Sequence, residues 1–168
     1  MIMADRREVL QSVRNAGIAL AAVIGARVWL GEQSAHAATD FEVSRSKDEW
    51  KQLLTSEQYR VLRESGTEPP YSSPLNNEKR TGIYSCAGCA LPLYSSETKF
   101  ESGTGWPSFW AAIEGSVTEV DDHVFFFKRT EIVCHRCGGH QGHVFEDGPK
   151  PTGLRYCMNG VALQFKPA

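Results

Sequence analysis

Cysteine is the residue type whose spacing in this chain carries the most chemistry. Four of the five cysteines form two Cys-x-x-Cys pairs, Cys86 with Cys89 and Cys134 with Cys137. A gap of two residues lets both thiolates turn toward one ion, and soft sulfur ligands suit tetrahedral zinc. The two pairs lie farther apart than in a usual zinc finger, so we expect one structural zinc to hold two remote hairpins together.

Two other interpretations of the four cysteines stay open. An oxidising compartment would allow them to form disulfides. One pair could instead be a redox-active dithiol, although that motif belongs to a βαβ context that this sequence lacks. His135, inside the second pair, could compete as a ligand, but with four thiolates available we expect it on the surface.

Cys157 is the cysteine left over, in the stretch "GLRYCMNG". Four polar residues lie close to it in the sequence: His140, His143, Arg155 and Asn159. A cysteine acts as a nucleophile through its thiolate, which a nearby His or Arg favours. Upstream, "SGTGWPSFW" is a Gly-rich turn that would present the ring of Trp106. Taken singly, each has a structural interpretation: an inert buried cysteine, a core tryptophan, and histidines that bind metal or hydrogen-bond within the core.

The composition indicates a soluble globular domain, because 41% of the residues are hydrophobic and the formal net charge is only −2. Such a charge offers no general attraction for nucleic acid or anionic lipid. Capping-box patterns at Ser46 and Glu49, and at Thr55 and Gln58, predict two short helices. Gly66 is predicted to end the second helix in the left-handed conformation.

Short β-prone runs follow the helices and predict an antiparallel β domain. They are "GIYSC", "LPLYS", "SVTEV", "HVFFFK", "TEIVC", "GHVF" and "VALQF". Asp121 and Asp122 are predicted to form a turn between two of these strands. The fold class predicted is therefore mainly β, with two short helices at its start.

The first 37 residues resemble an export signal. Arg6 and Arg7 precede a short apolar stretch, and Ala35 and Ala37 form an A-x-A cleavage pattern. Paired arginines are typical of twin-arginine export. We predict a signal over residues 1–37, a domain over 38–168, and a periplasmic location in a bacterium. An uncleaved membrane anchor and a small amphipathic helix packed on the domain are the alternatives.

The motifs together resemble the methionine-R-sulfoxide reductase family of type B. The matching segments run from about Trp50 to the C-terminus: "LTSEQYRVLRESGTE", "GIYSCAGCALPLYSSETKFESGTGWPSF", "RTEIVCHRCGGHQGHVFEDGP" and "TGLRYCMNG". The resemblance implies a β-tent of two antiparallel sheets, with zinc on Cys86, Cys89, Cys134 and Cys137. It also implies reduction of the R epimer of methionine sulfoxide in oxidised proteins, and possible use of the free amino acid.

The same resemblance assigns roles to the remaining residues. Cys157 matches the catalytic nucleophile, which would become a sulfenic acid. His143 matches the proton donor, with His140 beside it. Trp106 matches the ring that receives the substrate methyl group. Three further positions complete the implied site, with Phe145 widening the apolar wall, Asn159 hydrogen-bonding the substrate or the histidines, and Arg155 favouring the thiolate.

One position departs from many family members, which carry a second, recycling cysteine where this chain has Thr104. The departure implies that an external thiol, such as a thioredoxin-like or glutaredoxin-like protein, restores Cys157. We expect a monomer that binds no nucleic acid. Two rival functions remain: a non-catalytic, zinc-stapled β module that only binds a partner, and a zinc hydrolase that uses His140 and His143 as metal ligands.

Overall fold

The computed structural model describes residues 41–124 and 127–168. The predicted export signal lies outside these residues. Two helices begin the described part: α1 (Lys47–Leu53) and α2 (Ser56–Glu64). Within the described residues, no helix combines the length and the apolar character that a membrane crossing requires.

Both helices begin at the predicted capping boxes. Ser46 exchanges hydrogen bonds with Glu49, and Thr55 does so with Gln58. The predicted end of α2 is wrong by one residue, because Ser65 adopts the left-handed conformation with φ 49°. The backbone N–H of Gly66 donates to the Arg60 carbonyl oxygen at 3.0 Å, so Gly66 closes the helix from the next position.

Nine strands form two antiparallel sheets among the described residues, as the fold prediction expected. The smaller sheet has the order β2-β1-β9, and the larger has the order β3-β4-β8-β7-β6-β5. The strands are β1 (Gly82–Cys86), β2 (Pro92–Ser95), β3 (Lys99–Phe100), β4 (Ser108–Phe109), β5 (Val117–Val124), β6 (Phe127–Cys134), β7 (His140–Phe145), β8 (Arg155–Met158) and β9 (Leu163–Pro167).

Aromatic side chains fill the core between the elements. The ring of Phe109 stacks on Tyr94 at a centroid distance of 4.4 Å and meets Tyr84 edge-on at 4.9 Å. The Tyr94 hydroxyl reaches the Met158 sulfur at 3.0 Å. Because β4 and β8 supply Phe109 and Met158, this packing holds the strands that border the site.

The predicted turn at Asp121 and Asp122 is wrong. Both residues lie within β5, whose pairing with β6 continues to the partners Val124 and Phe127. Aspartate is uncommon in strands, but Asp122 pairs across the ladder with Arg129, and their charged groups approach to 3.6 Å. The run "HVFFFK" accordingly contributes His123 and Val124 to β5 and Phe127 and Lys128 to β6.

Candidate active site and metal centre

Cys157 lies at the centre of the larger sheet, on β8. It faces Ser108 of β4 on one side and His143 of β7 on the other. Gly142 makes the close approach of β7 and β8 possible, since a Cβ there would lie 2.1 Å from the Cys157 carbonyl oxygen. The two neighbouring strands therefore fix the position of the thiol.

A cavity of about 450 Å³ opens over this part of the sheet. Six of the seven residues predicted for catalysis or substrate binding line it: Cys157, His143, His140, Asn159, Trp106 and Phe145. Six further residues complete its lining: Ser65, Thr67, Asp122, Arg129, Glu131 and Gly142. The structure therefore brings together a thiol, two imidazoles and two aromatic rings that are distant in the sequence.

An irregularity in β7 aligns the two histidines. His140 pairs with Val133 and Gly142 with Ile132, so Gln141 is an extra residue in the ladder. Residues three apart in a regular strand point to opposite faces. The bulge at Gln141 allows both imidazoles to face the cavity, with ring centroids 5.5 Å apart.

Each histidine has a carboxylate partner that the sequence did not identify. His143 Nε2 lies 3.1 Å from Asp122 Oδ2, and His140 Nδ1 lies 2.6 Å from Glu131 Oε1. Burial lowers the pKa of His143, and the hydrogen bond to Asp122 opposes that shift. The sequence points to Glu131 only through its place in the run "TEIVC", and it predicts a turn at Asp122 in place of the observed strand.

Arg155 is the predicted site residue that does not line the cavity. Its guanidinium donates twice to the Asp147 carboxylate at 2.8 Å and lies 4.4 Å from the centre of the Phe145 ring. Asp147, and to a smaller extent the charge on Cys157, raise the pKa of Arg155. Its direct contacts therefore orient Phe145, and its predicted role beside the Cys157 thiol stays a prediction.

Asn159 is buried and hydrogen-bonded to the backbone. Its Nδ2 donates to the Gln141 carbonyl oxygen at 3.1 Å, and its Oδ1 accepts from the Glu68 N–H at 2.9 Å. Neither recorded bond goes to the histidine pair. Asn159 therefore positions the end of β8 beside the cavity.

Thr104 lies close to the thiol. Its hydroxyl oxygen is 3.7 Å from Cys157 Sγ and 2.8 Å from the Ser102 hydroxyl. Ser102 in turn lies 2.7 Å from the hydroxyl of Ser108. Hydroxyl groups thus occupy the side of the sulfur where a cysteine at position 104 would lie.

The other four cysteines form a separate cluster. Their sulfur atoms all lie within 4.8 Å of one another, with Cys86 and Cys137 at 3.8 Å and Cys89 and Cys134 at 3.5 Å. A tetrahedral zinc with sulfur at about 2.3 Å requires sulfur–sulfur separations of about 3.8 Å, whereas a disulfide requires about 2.05 Å. The donor set therefore fits a metal ion.

Hydrogen-bond donors surround the cluster. The Gln141 amide reaches Cys86 Sγ at 3.5 Å, and Arg63 reaches Cys137 Sγ at 3.7 Å. Hydrogen bonding among the crowded thiols raises the pKa of Cys86 and lowers that of Cys137. Because buried like charges repel, all four sulfurs ionise together only beside a cation. His135 is exposed, as expected, and its ring bonds to Thr118.

The histidine pair does not belong to such a cluster. Among the described residues, the four cysteines are the one group of at least three side chains placed to hold a metal ion. His140 and His143 each face a carboxylate instead. This arrangement gives no support to the hydrolase interpretation.

Comparison with known proteins decides the family. The SelR domain matches residues 54–167. The chain belongs to the SelR family of peptide methionine sulfoxide reductases, type B. It is 55% identical over 125 residues to the peptide methionine sulfoxide reductase MsrB of Methanosarcina mazei, an alignment that covers 74% of this chain and 89% of that protein.

Bacterial relatives match to a similar degree. MsrB of Leptospira interrogans is 50% identical over 76% of this chain and 98% of its own length. MsrB of Agrobacterium fabrum is 51% identical over 77% of this chain and 96% of its own length. A crystal structure of the Mis18 Yippee-like domain aligns with a TM-score of 0.41 at 19% identity, covering 53% of this chain and 98% of that one.

Proposed function

We propose that this chain reduces the R epimer of methionine sulfoxide in oxidised proteins, with Cys157 as the nucleophile. As a member of its family the chain is a peptide-methionine (R)-S-oxide reductase, an oxidoreductase that acts on a sulfur group. The observation that supports the residue roles is that Cys157, His143, His140 and Trp106 all line one cavity.

The first step transfers oxygen from substrate to enzyme. The Cys157 thiolate attacks the sulfoxide sulfur and forms a bond between the two sulfurs. The S–O bond of the substrate breaks as the oxygen moves to Cys157, and the sulfur–sulfur bond then breaks to leave a sulfenic acid on Cys157 and release the methionine. His143 supplies the proton that this oxygen needs, with Asp122 and His140 holding the imidazole in place. Methionine leaves reduced by two electrons, and Cys157 is oxidised by two.

The second step requires thiols from outside the chain. One thiol attacks the sulfenic acid to release water and form a mixed disulfide, and a second thiol regenerates Cys157 and leaves as a disulfide. Thr104 cannot take the first role because a hydroxyl is a poor nucleophile toward this sulfur. A thioredoxin-like or glutaredoxin-like protein suits both roles.

The choice of epimer follows from two kinds of group that line the cavity. Trp106 and Phe145 offer apolar surface for the methyl group, and the histidines offer polar groups for the oxygen. The S epimer would exchange these two groups.

An assay on separated R and S epimers, with dithiothreitol as reductant, tests this proposal. We expect turnover of the R epimer alone. Replacing Trp106 by Ala should raise KM by about tenfold, because the substrate methyl group loses its aromatic contact. The same change should lower the R-to-S ratio of kcat/KM. Equal rates on both epimers in the parent protein would contradict the proposal.

We also propose that the cysteine cluster binds one zinc ion, which supplies folding free energy and takes no part in the steps above. Elemental analysis should find about one zinc per chain. Cys137→Ser should lose both the zinc and the cooperative unfolding transition, whereas His135→Ala, next to the cluster but exposed, should keep both. A metal-free chain that remains folded with two disulfides would overturn this assignment.

The location of the protein is a separate proposal that rests on residues 1–37. Arg6, Arg7 and the A-x-A pattern favour export to the periplasm, so the enzyme would repair exported proteins. That it works as a monomer is a separate expectation. The mass of the protein recovered from periplasm should match a chain that begins after Ala37. An intact chain in the membrane fraction would support the uncleaved anchor instead.

A further inference from the structure

Glu68 carries a buried carboxylate beside the cavity. The proposed reaction steps give this residue no role. It lies four residues after the end of α2, and only 4% of its surface is exposed. Burial raises the pKa of its carboxyl group, and hydrogen bonds from two backbone amides oppose that shift. A charged group kept in such a place needs several compensating hydrogen bonds.

The side chain of Glu68 holds the turn that follows Cys157. Its two carboxylate oxygens accept from the backbone N–H groups of Gly160 at 2.5 Å and Val161 at 2.9 Å. The turn also packs tightly here, because a Cβ on Gly160 would lie 1.9 Å from the Ser73 hydroxyl oxygen. The carboxylate therefore fixes the segment that leaves the nucleophile's strand.

The backbone of Glu68 holds two residues that line the cavity. Its carbonyl oxygen accepts from the indole Nε1 of Trp106 at 3.1 Å, and its N–H donates to Asn159 Oδ1 at 2.9 Å. Trp106 comes from the loop before β4, and Asn159 follows β8. One residue thus joins the aromatic wall to the strand that carries Cys157.

We propose that Glu68 is a positioning residue that fixes the Trp106 ring relative to Cys157 and thereby sets the preference for the R epimer, an inference that rests on the proposed function. The carboxylate anchors the residue to the turn, and the anchored backbone then determines where the indole lies. Because Trp106 receives the substrate methyl group while the thiol itself stays on β8, a displaced indole should weaken substrate binding and epimer choice and so raise KM for the R epimer.

Two variants and a matched control test the proposal. Glu68→Gln keeps the shape but places an amide N–H₂ against one of the two backbone donors, and Glu68→Ala removes both acceptors. Glu57→Gln is the control, because Glu57 is exposed and influences Glu68 only through its charge. We expect both Glu68 variants to lower the R-to-S ratio of kcat/KM, mainly through KM and by no more than the roughly tenfold expected for loss of the whole Trp106 ring, and the control to leave it unchanged.

The Trp106 indole supplies a readout that is independent of activity. Its ¹H–¹⁵N resonance, assigned by its loss in Trp106→Phe, should move in the Glu68 variants and stay in place in Glu57→Gln. In the parent protein this indole N–H should exchange slowly with deuterium. Rapid exchange in the parent, or a folded Glu68→Ala protein with unchanged resonance and epimer ratio, would overturn the proposal.

These two readouts also separate the inference from the proposed function. A parent protein that reduces neither epimer contradicts the proposed function, while the indole resonance and its exchange still report whether Glu68 fixes Trp106. A parent that selects the R epimer, with Glu68 variants that behave like the control, contradicts only the role of Glu68.

Discussion

We expect Cys157→Ser to reduce turnover of the R epimer to the rate without enzyme. A serine hydroxyl is not ionised near neutral pH, and its oxygen cannot take up the sulfoxide oxygen as the Cys157 sulfur does when it becomes a sulfenic acid. The substitution changes one atom, and strands β4 and β7 continue to hold β8. Zinc content and the thermal unfolding transition should therefore match those of the parent, so that lost activity reports lost chemistry.

The intermediate gives this prediction a second readout. With one equivalent of the R epimer and no thiol, the parent should release about one equivalent of methionine and leave Cys157 reactive toward a sulfenic-acid reagent. Cys157→Ser should do neither. A disulfide between Cys157 and a cysteine of the metal cluster, with zinc released, would show instead that the cluster serves as the recycling site.

Thr104→Cys extends the same experiment to the recycling step. The Thr104 oxygen is already 3.7 Å from Cys157 Sγ, and the neighbouring Gly103 borders open space, because a Cβ there would have no atom within 4 Å. A sulfur at position 104 needs to approach to about 2.05 Å. After one turnover this variant should contain a disulfide between positions 104 and 157, whereas Thr104→Ser should still form the trappable sulfenic acid.

Local rules were sufficient to predict the helices and the cysteine pairs. Each capping box joins residues three apart, so the pattern at Ser46 and at Thr55 contains all the partners that the structure uses. Each Cys-x-x-Cys pair likewise places two zinc ligands three residues apart. Because a structural zinc site needs four ligands, the presence of two such pairs predicts that they meet at one ion.

Features that depend on pairing between strands could not be predicted in this way. The strand that carries Cys157 was not among the predicted runs, and β3 and β4 have only two residues each. The bulge at Gln141 exists because the pairing of β6 and β7 changes register there. The sequence of one strand alone does not determine its register against a partner strand. The carboxylate partners of the histidines were missed for the same reason.

His143 shows how these hidden partners affect chemistry. Burial, His140 and Arg129 all lower the pKa of its imidazole, while Asp122 raises it, and the net result lies below the ordinary value of about 6.5. An acid must carry its proton to donate it. The rate of sulfoxide reduction under single-turnover conditions should therefore fall as the pH rises through the lowered pKa of His143.

His143→Ala should slow this reduction step by about 10²- to 10⁴-fold, the usual contribution of general acid catalysis. His143→Gln is the matched variant, because its amide can still donate to Asp122 but cannot titrate, and it should be nearly as slow. Added imidazole should restore part of the rate in His143→Ala, which has space for it, and not in His143→Gln. Asp122→Asn removes the carboxylate that raises the pKa of His143, so it should move the fall in rate to lower pH.

A His143→Ala protein that retains the single-turnover rate and pH dependence of the parent would show that another group donates the proton. The first candidate is His140, whose Nδ1 faces Glu131.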